Sequence, residues 1–197
     1  MRLRVDAEPD SGNTLLAEDE RDELIPTHIT TQADLNEWEQ ANILEAEQWA
    51  FAHKRSAYLS MGFVFELHRR MFDGTWKWAG KARTTEKNIG VTPAEIRPNL
   101  LDLLRDVESW IQHETHSVDE IAARFHHRLV QIHAFPNGNG RHARLAADVA
   151  LVSLGRPRFS WGSADLSAKG VARDTYIASL RDADRGNIKP LLAFVRT

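Results

Sequence analysis

His133-Ala134-Phe135-Pro136-Asn137-Gly138-Asn139-Gly140-Arg141-His142-Ala143-Arg144 is the stretch on which the reading of this chain turns. Gly138 and Gly140 allow backbone conformations that a Cβ forbids, so successive N–H groups can converge on one point. A helix opening near Asn139–Arg141 leaves its first N–H groups unpaired, with the positive end of its dipole behind them. Such a place attracts anions, and phosphate is a common guest. Arg141 and Arg144, three apart, project from nearly the same side of that first turn, and their guanidinium forks match polyphosphate oxygens. His133, at the end of the preceding helix, would set an imidazole beside the anion as a general base.

Each piece alone is commonplace, since glycine connectors and single histidines recur freely. Their assembly within twelve residues is what points to chemistry. His126, His127, His133 and His142 raise the question of a metal cluster, but no His-Glu-x-x-His spacing accompanies them. Nor is Gly-Asn-Gly-Arg the phosphate loop of an NTPase, because no Gly-Lys-Ser/Thr follows.

Outward from this segment the chain reads as helix after helix. Upstream, Ser117-Val118-Asp119-Glu120 is a capping box, and Ile121, Phe125, Leu129 and Ile132 then carry one face of a helix ending near His133. Downstream, Leu145, Val149 and Val152 mark a helix stopped at Gly155. Leu35, Trp38, Asn42, Ala46 and Trp49 form a stripe on a helix starting near Asp34; Leu59, Phe63, Leu67 and Met71 form a second, and Leu100, Leu104, Val107 and Ile111 a third. Residues 168–185 and 190–196 read as two closing helices. The six tryptophans read as core. Gly80–Val91, with two glycines and adjacent threonines, reads as a short β-hairpin or flap. Residues 1–33 read as a mostly irregular tail, with a short helix near Leu15–Leu24, and residues 34–197 as the helical domain.

Composition bounds the rest. The absence of cysteine excludes thiolate zinc sites and a cysteine nucleophile. A net charge of −3 argues against a broad nucleic-acid surface. No apolar run reaches the roughly 20 residues of a membrane span, and Met1–Asp10 lacks the apolar core of a signal peptide, so a cytoplasmic location with no membrane partner is expected.

His133-x-Phe135-x-x-Gly138-Asn139-Gly140-Arg141-x-x-Arg144 resembles the signature of Fic-domain proteins, His-Pro-Phe-x-(Asp/Glu)-Gly-Asn-Gly-Arg-x-x-Arg. The Phe-Pro-Asn-Gly-Asn-Gly-Arg-His-Ala-Arg spelling, with Ile25-Pro26-Thr27-His28-Ile29 upstream, is further similar to the subgroup called mobile mystery protein B. The resemblance implies an all-α, Fic-type helical bundle with a short β-hairpin flap, and transfer of AMP from ATP to a protein hydroxyl. It would make His133 the base and Phe135 a core anchor. Gly138, Asn139, Gly140, Arg141 and Arg144 would hold phosphate. Thr84, Thr85, Lys87, Ile89 and Gly90 would belong to a flap that docks the target as an added strand.

Two departures stand out. Ala134 replaces a proline, and Asn137 replaces the acid that holds Mg²⁺ (or Mn²⁺), leaving a neutral carbonyl oxygen as ligand. The alternatives are therefore a nucleotide-binding regulatory protein with weak or lost catalysis, or transfer of another phosphate-linked group. The family's inhibitory Ser/Thr-x-x-x-Glu-Gly/Asn pattern, whose glutamate pairs with the second motif arginine, is matched by neither Glu18 nor Glu39. Both read as solvent-facing helix glutamates. The expected partners are ATP, a target protein and an antitoxin-like inhibitor, in a toxin-like or regulatory role.

Overall fold

A computed structural model describes residues 18–52, 57–163, 166 and 170–197. The described helices are α1 (Glu18–Arg21), α2 (Gln32–Phe51), α3 (Met61–Phe72), α4 (Ile96–Gln112), α5 (Val118–Ile132), α6 (Asn139–Ser153), α7 (Val171–Asp184) and α8 (Lys189–Phe194). Two of the short connections contain 3₁₀ turns, at Pro93–Glu95 and Trp161–Ser163.

Local chemistry accounts for the helix ends. Thr31 caps α2, accepting from Asp34 N–H at 3.2 Å while the Asp34 carboxylate accepts from Thr31 N–H at 3.2 Å. That box starts α2 slightly earlier than the Asp34 expectation. Ser117 caps α5 by accepting from Glu120 N–H at 3.2 Å. Along α5, Ile121, Phe125, Leu129 and Ile132 are all buried. Each such side chain contributes roughly 1.5–3 kcal/mol as an upper estimate. Phe125→Ala alone would cost about 3–5 kcal/mol through the cavity left behind.

Helices α5 and α6 pack together as the central pair, with α4 against α5, α2 against α3, and α7 against α8. One apolar core joins α2–α6 through residues such as Leu67, Phe72, Trp76, Ile96, Phe125 and Phe135. A second, on the other side of α5 and α6, gathers Ala147, Leu151, Trp161, Tyr176, Leu191 and Phe194. The central pair is thus clamped from both sides, and the loop joining it sits at their common end.

Two expectations need correction. Trp38, expected in the core, is 39% exposed; its indole N–H donates to the Gly74 carbonyl at 3.1 Å. The Gly80–Val91 flap contains no strand. The N–H groups that would cross a hairpin are used elsewhere: Arg83 N–H donates to Ala134 O at 3.0 Å, and Val91 N–H to Ile132 O at 3.3 Å. The flap is sewn to the central loop instead of to itself.

Ahead of α2, the chain from α1 onward lies against the same region. Ile25 N–H donates to Thr75 O at 2.8 Å, and Lys77 N–H to Glu23 O at 3.1 Å, around an antiparallel bridge between Leu24 and Trp76. The Leu15–Ala17 part of the expected short helix, and Thr14, four residues before Glu18 where the inhibitory pattern has its Ser/Thr, lie outside the described residues.

Candidate active site

The loop from α5 to α6 opens at His133, which ends α5 in the left-handed region (φ 55°, ψ 58°). That turn lets His133 N–H donate to Leu129 O while the chain reverses toward α6. The imidazole Nδ1 lies 3.3 Å from Val130 O. A carbonyl only accepts, so Nδ1 carries the hydrogen and Nε2 keeps the lone pair. Burial lowers the pKa of His133 to about 4, with Arg83 and Lys87 adding to the effect and the Val130 contact opposing it. His133 is therefore neutral at pH 7.

Phe135 is buried and stacks on His68 at 3.6 Å between ring centroids, with His142 edge-on at 5.0 Å. Asn139 locks it in place. Its side-chain oxygen accepts from Phe135 N–H at 2.9 Å, and its amide donates to Phe135 O at 2.8 Å. The Asn139 side chain thus faces inward, and what it presents to an anion is its backbone N–H. Gly138 is left-handed (φ +77°), and a Cβ there would meet the Phe72 ring at 2.5 Å. Gly140 differs: its backbone is helical, and a Cβ would meet only the Arg144 guanidinium at 3.9 Å. Its missing side chain leaves open space beside an arginine. The first backbone bond into α6 is His142 N–H to Gly138 O at 2.9 Å, so the N–H groups of Asn139, Gly140 and Arg141 precede the intrahelical ladder.

Arg141 and Arg144 both line a cavity of about 190 Å³ between α2 and α6, with Gln40, Glu47, Asp148 and Arg158. Arg141 is already engaged. Its guanidinium meets the Glu39 carboxylate at 2.6 Å and lies over the Phe72 ring at 4.9 Å. Glu39, read from sequence as solvent-facing, is buried, and its second oxygen accepts from Trp76 Nε1–H at 2.7 Å. The pairing is with the first motif arginine. Glu18 stands exposed on α1.

Asn137 is half-buried, and its side-chain oxygen accepts from Gly138 N–H at 2.6 Å. No three His, Cys, Asp or Glu side chains gather as a metal cluster among the described residues. In the flap, Thr84 and Ile89 are exposed, and Thr85 donates to Glu20 at 3.1 Å, where the buried Lys87 also forms an ion pair. Gly90 (φ +107°) packs so closely that a Cβ would lie 2.6 Å from the His133 Cβ.

Two important residues carry no local signal of their role. Buried Arg83 donates from Nε to His133 O at 2.7 Å, from one terminal nitrogen to Thr85 O at 2.8 Å, and from the other to Val91 O. It replaces the hairpin ladder with one guanidinium. His68 accepts from Gly80 N–H at 3.0 Å on Nδ1, so Nε2 carries the hydrogen and donates to Asn137 O at 3.1 Å. His68 is buried on α3 beside the Leu59, Phe63, Leu67 and Met71 stripe, and nothing local in the sequence marks these two contacts.

The class defined here is an all-helical domain whose central helix pair is joined by a glycine-bearing loop with two arginines and a buried histidine. Residues 58–151 match the Fic/DOC family. The chain is 32% identical over 141 residues to protein adenylyltransferase fic-1 of Caenorhabditis briggsae, covering 70% of this chain and 26% of that protein. Fic-1 (residues 134–508) from Caenorhabditis elegans superposes with a TM-score of 0.67 at 26% identity, over 90% of this chain and 51% of that one. The N-terminal Fic domain of a VirB-translocated Bep effector from Bartonella quintana superposes with a TM-score of 0.68 at 19% identity, over 90% of this chain and 91% of that one. The chain is thus similar to the Fic/DOC family over residues 58–151, and it spans about a quarter of the length of the curated relatives it matches.

Proposed function

We propose that this protein is a Fic-type nucleotidyltransferase that moves AMP from ATP to a hydroxyl side chain of a target protein. The observation that carries the reading is the placement of His133: its Nε2 lone pair belongs to a neutral imidazole, packed under Gly90 and joined through its own carbonyl to Arg83. In the reaction the target hydroxyl oxygen attacks the α-phosphorus, and its proton passes to His133 Nε2. The bond from the α-phosphorus to the bridging oxygen breaks, and pyrophosphate leaves. Arg141, Arg144 and the N–H groups opening α6 hold the β- and γ-phosphates and the charge that develops on them. The anionic nucleotide raises the His133 pKa from about 4 by stabilising the imidazolium, which strengthens the base when substrate is present.

In this reading the Asn137 side-chain carbonyl would hold a divalent cation, Mg²⁺ or Mn²⁺, which would supply charge neutralisation to the substrate phosphates. Residues 34–197 form the catalytic unit, with the segment before it as an appendage. The protein acts in the cytoplasm, as a toxin-like or regulatory enzyme. Glu39 restrains it by occupying Arg141, and an antitoxin-like partner is a further source of restraint.

Incubation with α-labelled ATP, Mg²⁺ or Mn²⁺ and cell lysate should label a protein band that His133→Ala leaves unlabelled. No histidine-dependent label would overturn the proposal, and label from UTP in place of ATP would redirect it to another phosphate-linked group. A second reading, nucleotide binding with little turnover, is favoured by the Asn137 side-chain oxygen being occupied by Gly138 N–H. It predicts ATP binding that Arg144→Ala weakens, and transfer that appears only in Asn137→Asp.

A further inference from the structure

The two motif arginines are held by opposite kinds of chemistry. Arg141 is matched to a carboxylate, so part of its charge is spent on Glu39. Among the described residues Arg144 meets no carboxylate. Its guanidinium faces the ring of Tyr176 on α7, 5.8 Å from the centroid, and interacts electrostatically with the phenol group. The phenol is a neutral partner, so no carboxylate here competes with an incoming anion for Arg144. Burial raises the Tyr176 pKa, which keeps the phenol protonated at neutral pH.

Tyr176 is itself fixed. It is buried in the second core, its ring lies 5.7 Å from that of Phe194, and its hydroxyl is 2.9 Å from His126 Nε2 on α5. His126 is fully buried, with Trp161 against its ring at 4.7 Å, and its other nitrogen has no hydrogen-bond partner. The imidazole thus makes its one polar contact with Tyr176. A buried polar residue that makes a single bond is costly to keep as packing alone, since an apolar ring of the same size would fill the site without the desolvation penalty.

We infer that Tyr176, backed by His126, is the positioning residue for Arg144, holding its guanidinium charged and aimed into the α2–α6 cavity to receive the terminal phosphates of a nucleoside triphosphate. The inference rests on the proposed ATP site. It adds that Arg144 is set in advance, whereas Arg141 is released only when Glu39 lets go. An arginine orienting on a neutral phenol loses nothing when an anion arrives, because the phosphate does not have to displace a competing carboxylate.

The test is calorimetric titration of the whole chain with ATP and with AMP, in the presence of Mg²⁺. Tyr176→Phe keeps the ring and its packing and removes only the hydroxyl. It should weaken ATP binding about tenfold, the loss of one polar contact to a charged group, while AMP, which lacks the terminal phosphates, changes less than about twofold. His126→Gln, which retains an amide nitrogen, should stay nearer wild type than His126→Phe. Equal weakening of ATP and AMP by Tyr176→Phe would show a structural role and overturn the inference. So would wild-type ATP affinity in Tyr176→Phe when Arg144→Ala loses it. If wild type fails to bind ATP, or Arg144→Ala binds as well as wild type, it is the ATP site itself that fails.

Discussion

Glu39 holds Arg141 through one carboxylate oxygen at 2.6 Å and Trp76 through the other at 2.7 Å, so a buried acid from α2 sits on the α6 arginine that the proposed ATP site would use. Glu39→Gln keeps an oxygen for the Trp76 indole and removes the negative charge. Transfer and ATP affinity should both rise several-fold, and stability should fall by about 1–2 kcal/mol in urea unfolding. Lower ATP affinity in this variant would show that the pair supports the site and does not restrain it.

Gly138 and Gly140 stand two residues apart and should fail differently. Gly138→Ala forces a Cβ into the Phe72 ring at a left-handed residue, and should cost about 2 kcal/mol or more in folding stability. Gly140→Ala meets nothing closer than 3.9 Å and should fold like wild type. Its methyl instead fills the space beside Arg144, so ATP affinity should drop. Thermal melts and calorimetry on the two variants separate these effects, and a stable Gly138→Ala would contradict the first.

Asn139→Asp replaces the amide that donates to Phe135 O with a carboxylate that cannot. A buried acceptor facing a buried acceptor should cost about 2–3 kcal/mol, read as a lower urea midpoint at unchanged slope. Asn139→Ala should be milder, because it removes both bonds without adding charge.

Arg83→Lys retains the charge but offers a point ammonium where three separate carbonyls are bound by a planar fork. The flap would lose its hold on His133, so transfer to protein should fall about tenfold or more, while ATP affinity is preserved. Unchanged transfer would separate the flap from catalysis.

Acid should destabilise the fold through its histidines. His133 and His142, with a usual value of 6.5, are each lowered by burial to about 4, so between these limits the unfolded chain binds protons that the folded chain refuses. Stability therefore rises with pH across that window and is lost on acidification from about 6.5 toward 4. His68 and His126 act in the same direction, being lowered well below 6.5 by burial. Asp148, raised by burial, opposes them as one group against four. The thermal midpoint at pH 4.5 should lie on the order of 10 °C below that at pH 7.5. Equal midpoints would contradict the assignment of neutral buried imidazoles.

What could be read from the chain was local. Ile121, Phe125, Leu129 and Ile132 recur at helical spacing, and Ser117 announces their start within three residues. The histidine, glycines and arginines of the central loop are likewise neighbours in sequence. The restraints on them are not. Glu39 reaches Arg141 across 102 positions, Asn137 meets His68 across 69, and Arg83 holds His133 across 50. No period or cap encodes such pairings, because they exist only once the helices have packed. The missing hairpin has the same origin: its threonines and glycines favour a turn by themselves, but tertiary bonds to Ile132 and Ala134 outbid the local ladder.

His133 is both the proposed base and the residue that turns the chain left-handed at the end of α5. Position 133 therefore answers to two demands, a lone pair at the reacting proton and a backbone that tolerates positive φ. Alanine meets neither, glycine meets only the second, and asparagine accepts the backbone at little cost but supplies an amide that is no base. The side chain proposed for the chemistry also marks where α5 stops, so a substitution at position 133 changes the backbone turn and the imidazole together.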